Sequence, residues 1–519
     1  MSERKNLFAK WVLLSFIMFL WEGVPAKPLA FAEIFGEQMV LQQKMPITIW
    51  GTSNPYATIC VTIENRRAEQ CADSQGNWTV VLPELRAGGP YRLNLVSGTE
   101  LRVIDSVYVG EVWIAAGQSN MGFQVFQLAE AEKQRAIVAA KNAAIHFMTV
   151  PKRIYEDTIS SDNNRLEWKL AMGKQVEKMS AVAYFFAQKL QSQINVPLGV
   201  IITPHGGSTA EAWLPREILR ENPITNPLFE RYQEYMAMKG EQGARDEYYE
   251  YLRAWNVYYK GDRKSTRKPR RPYGPYSQSC PGGLYETMLK RIIPYTARGV
   301  LWYQGESNNS RAEQYRVLLP MLIKEWRQEF HNPGLYFCVV QLPAYKGPKI
   351  ESWPEIREAQ LLTARSIPYT ALVVTIDAGE RDNLHPLNKR PVGERLAVLA
   401  ANNVYGILQP HKGPELESIK CENDCMILTF DPGGGGLTTW KRKPLCGFYI
   451  AEKEGDFAEA HAEIDGNRIR VWSEVVAHPD VVRYGWANWT ECNLCNEAGY
   501  PASPFRTDDR PLLTTGLYR

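Results

Sequence analysis

Between residues 107 and 401, five apolar runs at 107–115, 198–203, 299–303, 335–342 and 370–376 alternate with helical patterns at 127–140, 180–191, 313–329, 354–367 and 391–401. Runs rich in Val, Ile, Leu and aromatics have no polar face to leave in water, so they predict strands buried on both sides. Strands separated by helices predict an α/β fold with a parallel sheet covered on both faces. In such sheets ligands lie outside the carboxyl ends of the strands, which assigns any chemistry to the middle of the chain.

The two ends follow a different period. Short alternating runs at 47–50, 57–63, 78–81 and 91–96, separated by turn residues, predict an N-terminal β-sandwich module over 31–105. The pattern returns at 425–430, 447–450, 462–464 and 468–472, predicting a β-rich region over 407–519 that forms one module with the first or stands apart. The expected organisation is a signal at 1–30, the β-module, a catalytic domain at 106–406 and the C-terminal region. An insertion at about 215–280 interrupts the catalytic domain.

Arg4, Lys5 and Lys10, the apolar run 11–21 and the small residues Ala26 and Ala30 read as an export signal. The run is short for a bilayer span, and no other segment approaches that length. The mature chain is expected in a periplasmic, secreted or luminal space, without stable membrane insertion. Nine cysteines suit an oxidising compartment without making a dense disulfide framework. Cys421-x3-Cys425 and Cys492-x2-Cys495 have zinc-like spacing, but their β-rich surroundings and the lack of a nearby ligand histidine favour disulfides or buried thiols. An odd count leaves at least one unpaired, and no metal is expected. Asn77-Trp78-Thr79 and Asn488-Trp489-Thr490 are glycosylation acceptors only in a host that modifies them.

Residues 242–259 form a charged, tyrosine-rich helix candidate, followed by a basic run containing Arg263, Lys264, Arg267, Lys268, Arg270 and Arg271. A net charge of +3 supplies no wider basic face, so the run is read as a solvated loop and no nucleic-acid partner is expected.

Ser119 stands where the first apolar strand must turn, within Gly117-Gln118-Ser119-Asn120-Met121. A strand end exposes a hydroxyl to the crevice, and neighbouring backbone N–H groups can face a developing oxyanion. A serine nucleophile needs a base, and of the seven histidines only His205 and His385 follow sheet strands at their carboxyl ends. Three residues before His385, Asp382 can fold back onto Nδ1, which favours His385 as the base; Asp377 is the rival orienter. His205 adjoins Gly206-Gly207, whose backbone can approach a ligand closely. Strand 299–303 ends in Gln304-Gly305-Glu306-Ser307-Asn308 and places an amide at the same edge. The oxyanion candidates are therefore the Ser119 and Gly207 backbone N–H groups with the side chain of Gln304 or Asn308.

Gly117-Gln118-Ser119-Asn120-Met121, Gly206-Gly207-Ser208 through Glu211-Ala212-Trp213, Trp302 to Asn308, and Asp382-x-x-His385-Pro386 occur in the order seen in the SGNH (GDSL) hydrolases. Within that superfamily the chain resembles the sialate O-acetylesterases. Met39-Val40-Leu41-Gln42, Pro281 to Tyr285, Arg357 to Gln360 and Ala502 to Asp508 extend the likeness over most of the mature chain.

The resemblance implies a flavodoxin-like three-layer catalytic domain with accessory β-sandwich structure, and a serine esterase that removes O-acetyl groups from sialic acids or sialoglycans without a cofactor. It carries Ser119 over as nucleophile, His385 as base and Asp382 at the usual aspartate position. Some sialate O-acetylesterases lack that aspartate, and a backbone carbonyl then orients the histidine. Many SGNH enzymes use an asparagine in the third block, where this chain has Gln304 at the strand end and Asn308 four residues later. Gln118, Trp213 and Tyr303 are candidate substrate contacts, the two aromatics as stacking faces for a sugar, although aromatics in such places more often fill the core. The same apparatus would serve an acetylxylan or other acylated-glycan esterase, and the β-rich ends also suit a glycan-binding protein without catalysis.

Overall fold

The computed structural model describes residues 27–153, 164–261, 267–347 and 352–518. The basic and apolar stretches of the expected export signal lie outside the described residues, and no described helix is long and apolar enough to cross a membrane. The fold is mixed α/β, with a mixed central sheet and additional antiparallel sheets.

The central sheet contains β1 (Glu100–Gly117), β2 (Ile145–Thr149), β3 (Trp168–Leu170), β4 (Leu198–Pro204), β5 (Gly299–Tyr303), β6 (Tyr336–Val340) and β7 (Thr370–Val373). They run side by side in the order β3-β2-β4-β1-β5-β6-β7. All neighbouring pairs are parallel except β2 and β3. β4 and β5 are buried throughout, as are residues 111–117 of β1, which explains why these strands read as continuous apolar runs. Register then fixes the site: Pro204 of β4 and Tyr303 of β5 both stand opposite Gly117. Three strands therefore end flush, and the loops that follow them open at one edge.

Four helices accompany the sheet: α1 (Ala181–Ile194), α2 (Ala312–Glu329), α3 (Trp353–Ser366) and α4 (Arg390–Tyr405). Ser180 caps α1 by accepting from the Ala183 N–H, and α4 ends at Gly406 in the left-handed region. α1 packs on α4, and α2 on α3. Gly393 makes the first pairing close, because a Cβ there would lie 2.6 Å from both the Val182 carbonyl oxygen and the Phe185 Cβ.

By compactness the chain forms two units. The smaller holds the described residues up to Ala32, Thr48–Pro83 and Arg92–Ile104. There Thr58–Ile63 pairs antiparallel with Arg66–Cys71 and with residues 93–96, and a three-stranded sheet comprises Ala30–Phe31, Ile47–Thr52 and Asn77–Leu82. The larger holds Glu33–Ile47, Glu84–Tyr91 and Asp105–Arg519, so the C-terminal β-region shares a unit with the central sheet. Its own core gathers Met426, Leu428, Phe430, Phe448, Ile450 and Tyr484. Buried Arg357 of α3 joins it to the sheet, donating to the Leu342 and Pro343 carbonyls on one side and to the Ala487 and Asn488 carbonyls on the other.

All nine cysteines are free thiols. Cys421 stands opposite Met426 and Cys425 opposite Glu422, one step out of register, and the first is exposed while the second is buried. No group of three or more His, Cys, Asp or Glu among the described residues is arranged to hold a metal ion. Asn488 is not an accessible glycosylation acceptor, being fully buried with its Oδ1 accepting from the Trp353 N–H, whereas Asn77 is exposed.

Candidate active site

β1 ends on Gly117 because no other residue fits: φ is +131°, and a Cβ would lie 2.1 Å from the Tyr303 carbonyl oxygen. A turn follows, closed by Gly122 N–H donating to the Gln118 carbonyl at 2.9 Å, with Ser119 half-buried at its corner. The loop after β4 is tied to the same point, since His205 N–H donates to the Gly117 carbonyl at 2.9 Å. Gly206 stands against Ser119, and a Cβ on it would be 3.7 Å from the Ser119 Cβ. Neither the Ser119 nor the Gly207 backbone N–H is hydrogen-bonded to any described residue, so both remain able to donate to an oxyanion.

His385 reaches this corner from the loop after β7, with Nε2 2.8 Å from the Ser119 Oγ. That is the distance a proton transfer between hydroxyl and imidazole requires. Burial, reinforced by the positive charge of Lys389, lowers the His385 pKa and favours the neutral ring. Asp382 makes no hydrogen bond to it among the described residues. Glu380 to Asn383 form a tight turn, closed by Asn383 N–H donating to the Glu380 carbonyl at 3.3 Å, and Asp382 stands exposed at its corner. Asp377 is held elsewhere, both oxygens 2.6 Å from Arg395. Among the described residues no carboxylate is hydrogen-bonded to His385. The loop is fixed instead by Asn383, which accepts from the His385 backbone N–H, and by Glu380, which accepts from Asn383 Nδ2 and Leu387 N–H.

Three polar residues to which the sequence reading gave no role lie behind the pair. Asn120 Nδ2 donates to Glu306 Oε1 at 2.7 Å and to the Leu384 carbonyl at 3.1 Å, while its Oδ1 accepts from Lys389 Nζ at 2.5 Å. All three side chains are buried. Burial pushes the Lys389 ammonium down to about 7 and the Glu306 carboxyl up. This network joins the loops after β1, β5 and β7. Its signal was adjacency, since each member stands within four residues of a motif position, but a lysine in a loop ordinarily reads as a solvated charge.

The third block braces the site. Gln304 Nε2 donates to the Ser208 carbonyl at 3.1 Å and to Asn308 Oδ1 at 2.7 Å, which uses both its hydrogens. Asn308 Nδ2 donates to Glu211 Oε2 at 3.0 Å, and its Oδ1 also accepts from the Ala210 N–H. Gln304 is thus committed to the loop that carries Ser208, and of the two amides only Asn308 keeps a hydrogen without a described acceptor. Gln118 faces the same block, its Oε1 3.3 Å from the Ser307 N–H. Trp213 and Tyr303 are both buried, and Trp213 packs in a cluster with Trp302 and Trp326 at 6.3 Å, which favours the core reading of both.

Residues 274–401 match the family described as carbohydrate esterase, sialic acid-specific acetylesterase, a span that contains the third and fourth blocks. The sialate O-acetylesterase of Rattus norvegicus is 27% identical over 531 residues, covering 92% of this chain and 93% of the relative. The Homo sapiens sialate O-acetylesterase is 27% identical, with 92% of each chain covered. A solved carbohydrate acetylesterase from Xanthomonas citri superposes with a TM-score of 0.77 at 32% identity, over 93% of this chain and all of that one (100%). With an esterase fold matched over nearly its whole length and a serine–histidine pair at the flush strand ends, the chain belongs to the sialate O-acetylesterase family of carboxylic ester hydrolases.

Proposed function

We propose that this protein hydrolyses O-acetyl esters of sialic acids or sialoglycans, with Ser119 as nucleophile and His385 as general base. The observation that carries the reading is the 2.8 Å approach of His385 Nε2 to the Ser119 Oγ at the carboxyl edge of the sheet. His385 takes the serine proton as Oγ attacks the acetyl carbonyl. The oxyanion meets the Ser119 and Gly207 backbone N–H groups, with Asn308 as the side-chain candidate. Collapse leaves acetyl on Oγ, and the sugar hydroxyl departs with the proton from His385. Water then gives a proton to His385 and attacks the acyl-enzyme, releasing acetate and restoring Ser119.

The strand order supports the flavodoxin-like reading: leaving out the edge pair β2 and β3, the five remaining strands follow the doubly wound 2-1-3-4-5 pattern. The basic and apolar residues of 4–21 support export. Acetate release from O-acetylated N-acetylneuraminic acid and from acetylated xylan, measured for wild type and Ser119→Ala, tests the reading. Release from the sialic acid and its loss in the variant are expected. Undiminished release by Ser119→Ala overturns the catalytic assignment, and a preference for xylan overturns the substrate.

A further inference from the structure

The helix Asn226–Lys260 is broken at Gly240, where φ is 64°. Its second half packs on the segment that leads back toward the strand-end loops. Tyr248 stacks on Tyr276 with centroids 4.9 Å apart and planes at 11°, and the Arg271 guanidinium lies 5.4 Å from the centre of the Tyr251 ring. Lys268 likewise lies 5.4 Å from the centre of the Trp255 ring, but Arg271 is the less exposed of the two. Its Nη1 is screened from solvent and no described residue accepts from it. A desolvated guanidinium nitrogen without an acceptor is costly unless an anion supplies one.

Burial and two nearby charges, Lys152 and Arg271, depress the His205 pKa to about 4, and both charges are positive. His205 begins the loop whose Gly206 stands against Ser119. Gln278, seven residues after Arg271, lies over the same loop: a Cβ on Gly207 would be 3.2 Å from Gln278 Nε2. The Gln278 Oε1, an acceptor, is buried without a described donor and suits a sugar hydroxyl, leaving Nε2 to donate to an anion. A glycine at 207, with φ of +72°, leaves room for this amide beside the acyl site.

We propose that Arg271, together with Lys152 and the Gln278 amide N–H over Gly207, binds the carboxylate of an anionic sugar while an O-acetyl group of the same sugar lies on Ser119. The inference rests on the sialate reading above and deepens it. The serine–histidine pair reads only an ester, whereas a carboxylate is what separates a sialic acid from an acetylated xylose. The planar guanidinium fork matches a carboxylate with two parallel N–H donors. This gives the insertion a role in recognition, because its Tyr251 ring holds the guanidinium in place.

Steady-state kcat/KM for O-acetylated N-acetylneuraminic acid and for its carboxyl methyl ester, which keeps the acetyl group and removes the charge, tests the subsite. Wild type is expected to prefer the acid, and Arg271→Gln to cut the acid-to-ester ratio at least ten-fold through KM, with Arg271→Lys intermediate. A variant that lowers both substrates equally, leaving the ratio intact, overturns the subsite and makes Arg271 structural. A wild-type enzyme that prefers the methyl ester also overturns it, while the sialate reading stands. If wild type releases acetate from acetylated xylan in preference to either, the sialate reading itself fails and the subsite with it.

Discussion

The Asn120 side chain donates a 3.1 Å hydrogen bond to the carbonyl oxygen of Leu384, the residue before His385. No described carboxylate is bonded to the His385 ring, so this contact between the nucleophile turn and the histidine loop bears on the ring's position. Asn120→Ala removes it and also leaves Lys389 and Glu306 without their shared partner. We expect kcat on p-nitrophenyl acetate to fall about 10–100-fold with little change in KM, the loss that a misplaced base produces. A variant with wild-type kcat would show that the turn around Glu380 positions His385 alone.

Asp382→Asn should do far less. Replacing an orienting aspartate in a serine triad costs about 10⁴-fold in kcat. Asp382 is exposed at a turn corner and bonds to nothing that touches His385. The expected change in kcat/KM is under about three-fold, as for a surface substitution away from the reacting groups. A loss of several hundred-fold, measured on protein with an unchanged unfolding midpoint, would place the carboxylate on the ring during turnover.

The contrast between Asp382 and Ser119 shows what was legible. Ser119 follows the fully buried stretch 111–117 of β1, and that apolar run is unmistakable; β5 falls on the expected residues 299–303, and α2 and α3 begin and end within one residue of theirs. Asp382 sits in a loop, where an aspartate three residues before a histidine can cap, turn or orient, and spacing does not choose among these. Arg66–Cys71 and Glu415–Glu422 went unread because they are polar, mostly exposed strands without an apolar alternation. Trp213 stayed open between two readings because a tryptophan in a motif looks alike whether it stacks on a sugar or fills a core. Lys389 was missed because its burial comes from three loops meeting, a tertiary fact with no local pattern.

Gly393 sets the spacing of α1 and α4. An added methyl group would meet the Val182 carbonyl oxygen and the Phe186 backbone nitrogen at 2.6 and 2.9 Å, atoms that cannot rotate away. Gly393→Ala should therefore destabilise despite the better helix propensity of alanine, by about 1–3 kcal/mol from overpacking. A lower urea midpoint at unchanged slope is the expected reading. A higher midpoint would mean that the two helices can separate without loss.

Lys389 gives the esterase a pH signature whose sign is fixed by geometry. His385 works as a base only when neutral, so kcat/KM must fall on the acid side as the ring takes a proton. Burial and the Lys389 charge both lower that pKa. Lys389 in turn faces Asn120, Glu306 and Glu380, and burial holds its own pKa down to about 7, so in the acid range it is charged and opposes protonation of His385. Lys389→Met removes the charge and leaves burial acting alone. The acid limb of the kcat/KM profile should then move to higher pH, while Asp382→Asn leaves it in place. A limb that moves to lower pH, or does not move in a folded Lys389→Met protein, would show that the lysine's charge does not reach the ring and that its place behind Ser119 is structural only.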